Sequence, residues 1–141
     1  MRYSTKSRYA LRLMMELAAR PEGACVSLKE ISEHQQISLK YLEQIVTPLA
    51  RANLVKIMRG SQGGYQLTKL PHEYTAGEIL RAVEGTLASV VCLSDPDFEC
   101  PRQGGCSSRQ FWAGLDEVVA RYVDGVTLAD LCQSPCMTDP A

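Results

Sequence analysis

Residues 27–68 read SLKEISEHQQISLKYLEQIVTPLARANLVKIMRGSQGGYQLT, and the order of elements in this stretch decides the fold. It opens on Ser27-Leu-Lys-Glu30, a capping box in which the serine hydroxyl accepts from the third helical amide while the glutamate reaches back. The pattern predicts a short helix to about Glu33, with Leu28 and Ile31 on its apolar face. After His34-Gln-Gln-Ile37, Ser38 caps a further helix to about Ala52, with Leu42, Ile45, Val46 and Leu49 inward. Pro48 falls late in that helix and is expected to kink or shorten it. Leu54-Val-Lys-Ile-Met58 and Tyr65-Gln-Leu-Thr68 are β-compatible runs around Arg59-Gly-Ser-Gln-Gly-Gly64. The three glycines are expected to supply the positive φ angles of a hairpin tip.

Upstream, a helix starts near Ser4 and ends before Pro21, with Tyr9, Ala10, Leu13, Met14 and Leu17 as its buried stripe. Downstream, Thr75-Ala-Gly-Glu78 is a second capping box, opening a helix through about Glu84 that Gly85 ends. An irregular segment from about Ser89 to Ser107 carries Pro96, Pro101, Gly104 and Gly105. Ser108 to Val123 reads as a long amphipathic helix with Trp112, Leu115, Val118, Val119 and Tyr122 on one side, and Thr127-Leu-Ala-Asp130 caps a last short helix. The fold class is mainly α with a small β-hairpin: a winged helix-turn-helix domain plus a long dimerisation helix. The expected organisation is a DNA-binding domain over 1–72, a linker helix, cysteine loop and dimerisation helix over 73–134, and a flexible tail over 135–141.

The chain has 141 residues, 45 % apolar and 22 % charged, which suits one globular domain with an appended segment and excludes wholesale disorder. The net charge of −1 hides a division. Residues 1–69 hold 11 Lys and Arg against 5 Asp and Glu, whereas residues 70–141 hold 4 against 11. No acid stands between Glu43 and Glu73, a stretch that contains Arg51, Lys56, Arg59 and Lys69, so a polyanion can dock there. In a helix-turn-helix the second of the two helices reads the major groove with its N-terminal residues, which makes Ser38, Leu39, Lys40, Tyr41 and Gln44 the candidates. Gln44 suits a bidentate contact to adenine and Lys40 suits phosphate or guanine. Glu43 repels phosphate unless it accepts from a cytosine amino group, and so acts as a negative selector. Tyr41 is either a contact or a core residue. Arg59 and Gly60, at the tip of the wing, are placed for the minor groove, with Gln62 assisting. One reading helix covers too few base pairs for useful specificity, so a homodimer on a palindromic double-stranded operator is expected.

Six cysteines without an apparent export signal suggest a reducing, cytoplasmic setting. The basic N-terminus is read as mature helix rather than transit peptide, and no apolar run is long enough for a membrane span. Cys92, Cys100 and Cys106 lie in the irregular segment with seven and then five residues between them, unlike the tight pairs of zinc knuckles. Three thiolates fit a site completed by a further ligand, and spacing alone leaves an iron-sulfur cluster and zinc both open. Cys132 and Cys136 flank a Ser-Pro turn as a frayed thiol pair, Cys25 is incidental, and His34 and His72 are surface residues. No nucleophile elbow, phosphate-binding loop or metalloprotease motif is present, so the protein is not read as an enzyme.

Taken together, Met1-Arg-Tyr-Ser-Thr-Lys-Ser-Arg-Tyr-Ala10, Ile37-Ser-Leu-Lys-Tyr-Leu-Glu-Gln44, Arg59-Gly60, Gly63-Gly-Tyr65 and the cysteine loop followed by Trp112 resemble the winged-helix repressors typified by the iron-sulfur cluster regulator (IscR) and the nitric-oxide sensor (NsrR). The resemblance implies that Tyr41, Glu43 and Gln44 line the major groove and Arg59 the minor groove. It also implies that Cys92, Cys100 and Cys106 are cluster ligands, with a two-iron (2Fe-2S) cluster placed ahead of a four-iron one. It departs in the fourth ligand: the position of a ligating histidine in one branch is Arg109 here, and the position of an acidic ligand in the other is Arg8. The expected function is a dimeric DNA-binding regulator that senses iron-sulfur status or redox stress. The alternatives are a cluster-free repressor of sulfur or cysteine metabolism and a cluster carrier.

Overall fold

A computed structural model describes residues 2–133; the expected tail over 135–141 and Cys136 lie outside the described residues. The elements follow in the order α1 (Thr5–Ala18), α2 (Leu28–Gln35), α3 (Leu39–Arg51), β1 (Val55–Met58), β2 (Gly64–Leu67), a 3-10 turn (Pro71–Glu73), α4 (Ala76–Glu84), α5 (Val91–Ser94), α6 (Ser108–Gly125) and α7 (Leu128–Gln133). The mainly helical architecture with one antiparallel hairpin is the expected winged helix-turn-helix. β1 and β2 pair from Val55 with Leu67 to Met58 with Gly64.

The caps form where the sequence places them. Ser4, Ser27, Ser38 and Thr75 each accept from a backbone amide of the first helical turn. At Thr75 and Thr127 the acid three residues on reaches back, closing both boxes. At Ser27 it does not: Glu30 turns to Arg20, 2.8 Å away, because this arginine just beyond the end of α1 competes for it. Pro48 does not shorten α3, which continues to Arg51. The amide that proline lacks would have bonded the carbonyl of exposed Gln44, where water can serve it.

The wing glycines also act differently from expectation. Only Gly60 has a positive φ, +122°. Gly63 and Gly64 are needed for close approach instead: a Cβ on Gly63 would collide with the Met58 carbonyl oxygen, and one on Gly64 would stand 2.6 Å from the backbone of Val26. Val26 forms an isolated antiparallel bridge to β2, exchanging two backbone hydrogen bonds of 2.9 and 2.8 Å with Tyr65.

The core gathers Ala10, Leu13, Met14 and Leu17 of α1 with Ile31 of α2, Ile37, and Leu42, Ile45, Val46 and Leu49 of α3. Tyr74, Ile79 and Leu128 lie in the same cluster, so α4 and α7 complete it. Tyr74 is fully buried, and its hydroxyl donates to the Leu54 carbonyl at 2.7 Å and accepts from the Thr68 amide at 2.8 Å. That one side chain joins the entry and the exit of the wing. The chain returns to it after α6, where the Leu128 amide donates to the Tyr74 carbonyl and the Ala76 amide to the Val126 carbonyl.

Candidate nucleic-acid interface and thiol segment

The turn between α2 and α3 is held by a left-handed residue, Gln36, at φ 54° and ψ 45°. Ile37 behind it is buried. Ser32 donates to the Ile37 carbonyl at 2.5 Å, and Arg12 of α1 donates to the Gln35 carbonyl at 2.6 Å. Glu16 collects His34 at 2.8 Å, Gln35 at 2.8 Å and Arg20 at 3.1 Å. Burial pushes its carboxyl up, but the hydrogen bonds from His34, Gln35 and Arg20 outweigh that and hold it below the ordinary carboxylate range. The turn is therefore clamped from behind by α1, which fixes the angle at which α3 projects.

On α3 the buried stripe of Leu42, Ile45, Val46 and Leu49 leaves Leu39, Lys40, Glu43, Gln44, Thr47 and Arg51 exposed. Ser38 caps the helix, accepting from the Tyr41 amide at 3.2 Å. The exposed face thus carries Lys40, Glu43 and Gln44 together. Tyr41 falls between the two readings, half-buried and edge-on to Tyr9 with ring centroids 5.4 Å apart. Thr47 was not among the expected candidates, yet it shares the exposed stripe one turn beyond Glu43 and Gln44, and the 3.6-residue period would have found it. Arg59 and Gly60 stand exposed at the wing tip, away from the body. Among the described residues, Lys40, Arg51, Lys56 and Arg59 enter no ion pair, whereas Lys69 is taken by Glu78 at 3.0 Å. Exposed cations without carboxylate partners are the electrostatics a phosphate backbone requires.

The thiol segment is built differently. Cys92 sits on the single-turn α5, Cys100 and Cys106 on successive turns, and all three are free and half-buried. Hydrogen bonding from Ser108 and the Arg109 amide, with some opposing burial, lowers the Cys106 thiol below its ordinary value. Among the described residues, no three His, Cys, Asp or Glu side chains stand close enough to hold one metal ion. The donor chemistry, three soft uncommitted thiols on an irregular segment, fits an iron-sulfur group, while closing them on one centre requires the segment to move. Cys25 and Cys132 lie elsewhere, beside Gln66 at the base of the wing and beside the Met15 carbonyl of α1. His34 and His72 are exposed, His34 bonded to Glu16.

The long helix α6 divides its apolar residues between two sides. Val123 is buried and Trp112, Leu115 and Val119 are half-buried, while Phe111, Val118 and Tyr122 are 64 %, 59 % and 72 % exposed.

Residues 3–134 match the Rrf2 family, described as iron-dependent transcriptional regulators. The chain belongs to the Rrf2 family. It is a transcription regulator of that family and not an enzyme. Among its relatives, the HTH-type transcriptional regulator CymR of Bacillus subtilis is 40 % identical over 131 residues, 93 % of this chain and 89 % of that one. The solved structure of CymR, the global cysteine regulator of B. subtilis, superposes with a TM-score of 0.79 at 39 % identity, covering 96 % of this chain and 99 % of that one. The Rrf2 fold recurs in T. potens IscR, with a TM-score of 0.76 at 33 % identity over 100 % of this chain and 93 % of that one. Among the described residues no helix is long and apolar enough to cross a membrane.

Proposed function

We propose that the protein is a homodimeric repressor that reads a palindromic operator and reports iron-sulfur or redox status through a cluster on Cys92, Cys100 and Cys106. The observation that carries this reading is the placement of three free thiols on one irregular segment between α4, which packs on the DNA-reading body, and α6. Ser38, Lys40, Tyr41, Glu43 and Gln44 act in the major groove, Arg59 and Gly60 in the minor groove. Functionally, residues 1–72 read DNA and residues 73–134 sense and dimerise. Phe111, Val118 and Tyr122, spaced along one side of α6, supply the dimer surface, since a monomer gains nothing from three large apolar side chains left in water. A cluster, when bound, supplies redox-sensitive iron; the chain's own contribution is to tie the segment to both neighbours. The Ser89 amide donates to Asp116 of α6 at 2.9 Å, and Glu84 at the end of α4 holds Ser4 and Ser7 of α1. Movement of the segment is thereby transmitted to α1, which clamps the reading turn.

A second reading is favoured by the separation of the three thiols and by the likeness to CymR: a cluster-free regulator of cysteine metabolism. One experiment separates the two. Protein purified anaerobically from iron-replete cells is expected to be coloured, to carry stoichiometric iron and sulfide, and to shift operator DNA differently with and without the cluster. A colourless protein with operator binding unaffected by changing all three cysteines to alanine overturns the cluster reading. In the same assay Arg59→Ala should weaken binding on the order of tenfold, and wild-type affinity should fall steeply with salt. Affinity independent of salt overturns the DNA interface.

A further inference from the structure

The thiol segment brings two metal-capable side chains together in one place. Cys106 Sγ and Ser108 Oγ are 3.1 Å apart. Sulfur and oxygen atoms bound to one tetrahedral metal, with bonds of about 2.3 and 2.0 Å, stand roughly 3.5 Å apart. The two side chains therefore need to open by only a few tenths of an ångström to share a metal. The backbone that holds them is already set: Ser107 is in the right-handed helical region at φ −67° and ψ −28°, and the Arg109 amide donates to the Cys106 carbonyl at 3.3 Å as α6 begins.

The donor count points the same way. A cluster held wholly by protein takes four ligands, and the segment contributes three thiols. Among the described residues Ser108 is the one side chain hydrogen-bonded to any of those thiols. Asp97 and Glu99 stand exposed on the same segment, but among the described residues neither is hydrogen-bonded to a thiol, and the remaining donors are bonded or placed elsewhere. Asp95 bonds the Asp97 amide at 2.9 Å, Asp116 bonds the Ser89 amide, His34 bonds Glu16, and Cys25 and Cys132 lie against the wing base and α1. Arg109, next along, has no lone pair to give.

We propose that Ser108 is the fourth protein ligand of the cluster, its Oγ binding the same iron as Cys106 Sγ. The inference rests on the cluster reading above. As the Oγ–Fe bond forms, the hydroxyl proton passes to solvent and a bound water leaves, with no change in oxidation state. Two protein ligands on one iron is the two-iron pattern, because each iron of a four-iron cluster takes one. A hard oxygen among soft thiolates also makes that iron unlike its neighbour and its protein bond the more exchangeable of the set.

The test uses the full chain, purified anaerobically as wild type, Ser108→Ala, Ser108→Cys and Ser108→Thr, and read by Mössbauer and electron-spin resonance spectra together with the rate of cluster loss to a chelator. Wild type is expected to show two inequivalent irons. Ser108→Cys should make them alike, Ser108→Ala should shift the spectrum and lose cluster at least about tenfold faster, and Ser108→Thr, which keeps a hydroxyl, should restore the wild-type signature. Far-UV circular dichroism and thermal midpoint of the cluster-free forms should match throughout, which separates ligation from folding. If the wild type loads and the Ala and Cys variants share its spectrum and loss rate, the inference falls and the cluster reading stands. If Ser108→Ala fails to load and neither Thr nor Cys rescues it, the inference falls. A wild type that takes up no cluster overturns both.

Discussion

The DNA-reading body and the thiol segment are held together by different means. Among the described residues every buried one lies either at or before Leu80 or at Val123 and Leu128, and none is buried from 81 to 122. The body's turns are pinned by contacts between residues far apart in sequence, such as Tyr74 on Leu54 and Val26 on Tyr65. The segment's turns are pinned by neighbours two to four residues away, as in Gln103 to Cys100 and Gly105 to Arg102. Local hydrogen bonds open readily when little apolar area is buried beneath them. The difference places a firmly packed body beside a segment whose conformation few contacts dictate.

Two glycine substitutions test this contrast most severely. Gly64→Ala would set a methyl against the backbone of Val26, which cannot yield without breaking the strand pairing, and should cost about 1–3 kcal/mol in urea unfolding. Gly104→Ala meets nothing within 4 Å and should change stability by less than about 0.5 kcal/mol. Equal effects at the two positions would show that the segment is packed as firmly as the body.

The same division governs what could be read from the sequence. The helices of the body announce themselves, because the apolar period of Leu42, Ile45, Val46 and Leu49 and the caps at Ser27, Ser38 and Thr75 are local signals. The exposed Lys40, Glu43 and Gln44 follow from that period. What escaped are contacts that only the folded chain creates. Gly63 and Gly64 were read for backbone freedom, whereas the Met58 carbonyl across the wing demands the missing side chain of the first and Val26, some 40 residues earlier, that of the second. Tyr74 carries no motif, yet its hydroxyl closes the wing. Trp112, Leu115, Val118, Val119 and Tyr122 of α6 were read as a single stripe, and packing against α4 splits it into a covered half and the exposed Val118 and Tyr122, which Phe111, outside that stripe, joins. In the thiol segment the spacing marks three thiols on one irregular stretch and leaves both the group they hold and their arrangement open, since few contacts there dictate one.

The latch between the two regions has a smaller, pH-dependent signature. Glu84 Oε1 accepts from the Ser4 amide at 2.9 Å and from the Ser4 and Ser7 hydroxyls at 2.5 Å each. Burial pushes this carboxyl up, but the serine hydrogen bonds more than compensate and hold it below the ordinary carboxylate range. Because the folded value is depressed, the stabilisation is present above the unfolded value of roughly 4.3 and disappears as pH falls through the folded one. Glu84→Gln should therefore lower stability at pH 7 by about 1 kcal/mol and flatten part of the acid-induced loss in urea midpoints between pH 7 and pH 3. If the variant keeps the full wild-type pH slope, Glu84 is not the acid-sensitive latch.

The smallest effect concerns the one strained residue of the reading turn. Gln36 adopts a left-handed conformation that costs a residue with a Cβ roughly 1 kcal/mol, and its side chain is exposed. Glycine removes that cost but gives the unfolded chain more freedom to lose, so Gln36→Gly should stabilise the protein by a net of about 0.5 kcal/mol. The gain should appear in the urea midpoint with an unchanged slope. Operator affinity should stay within about twofold, because Arg12 and Ser32 fix the turn through backbone carbonyls that the substitution leaves in place. A loss of affinity at unchanged or higher stability would mean that the Gln36 side chain itself touches DNA, extending the reading surface from α3 back into the turn.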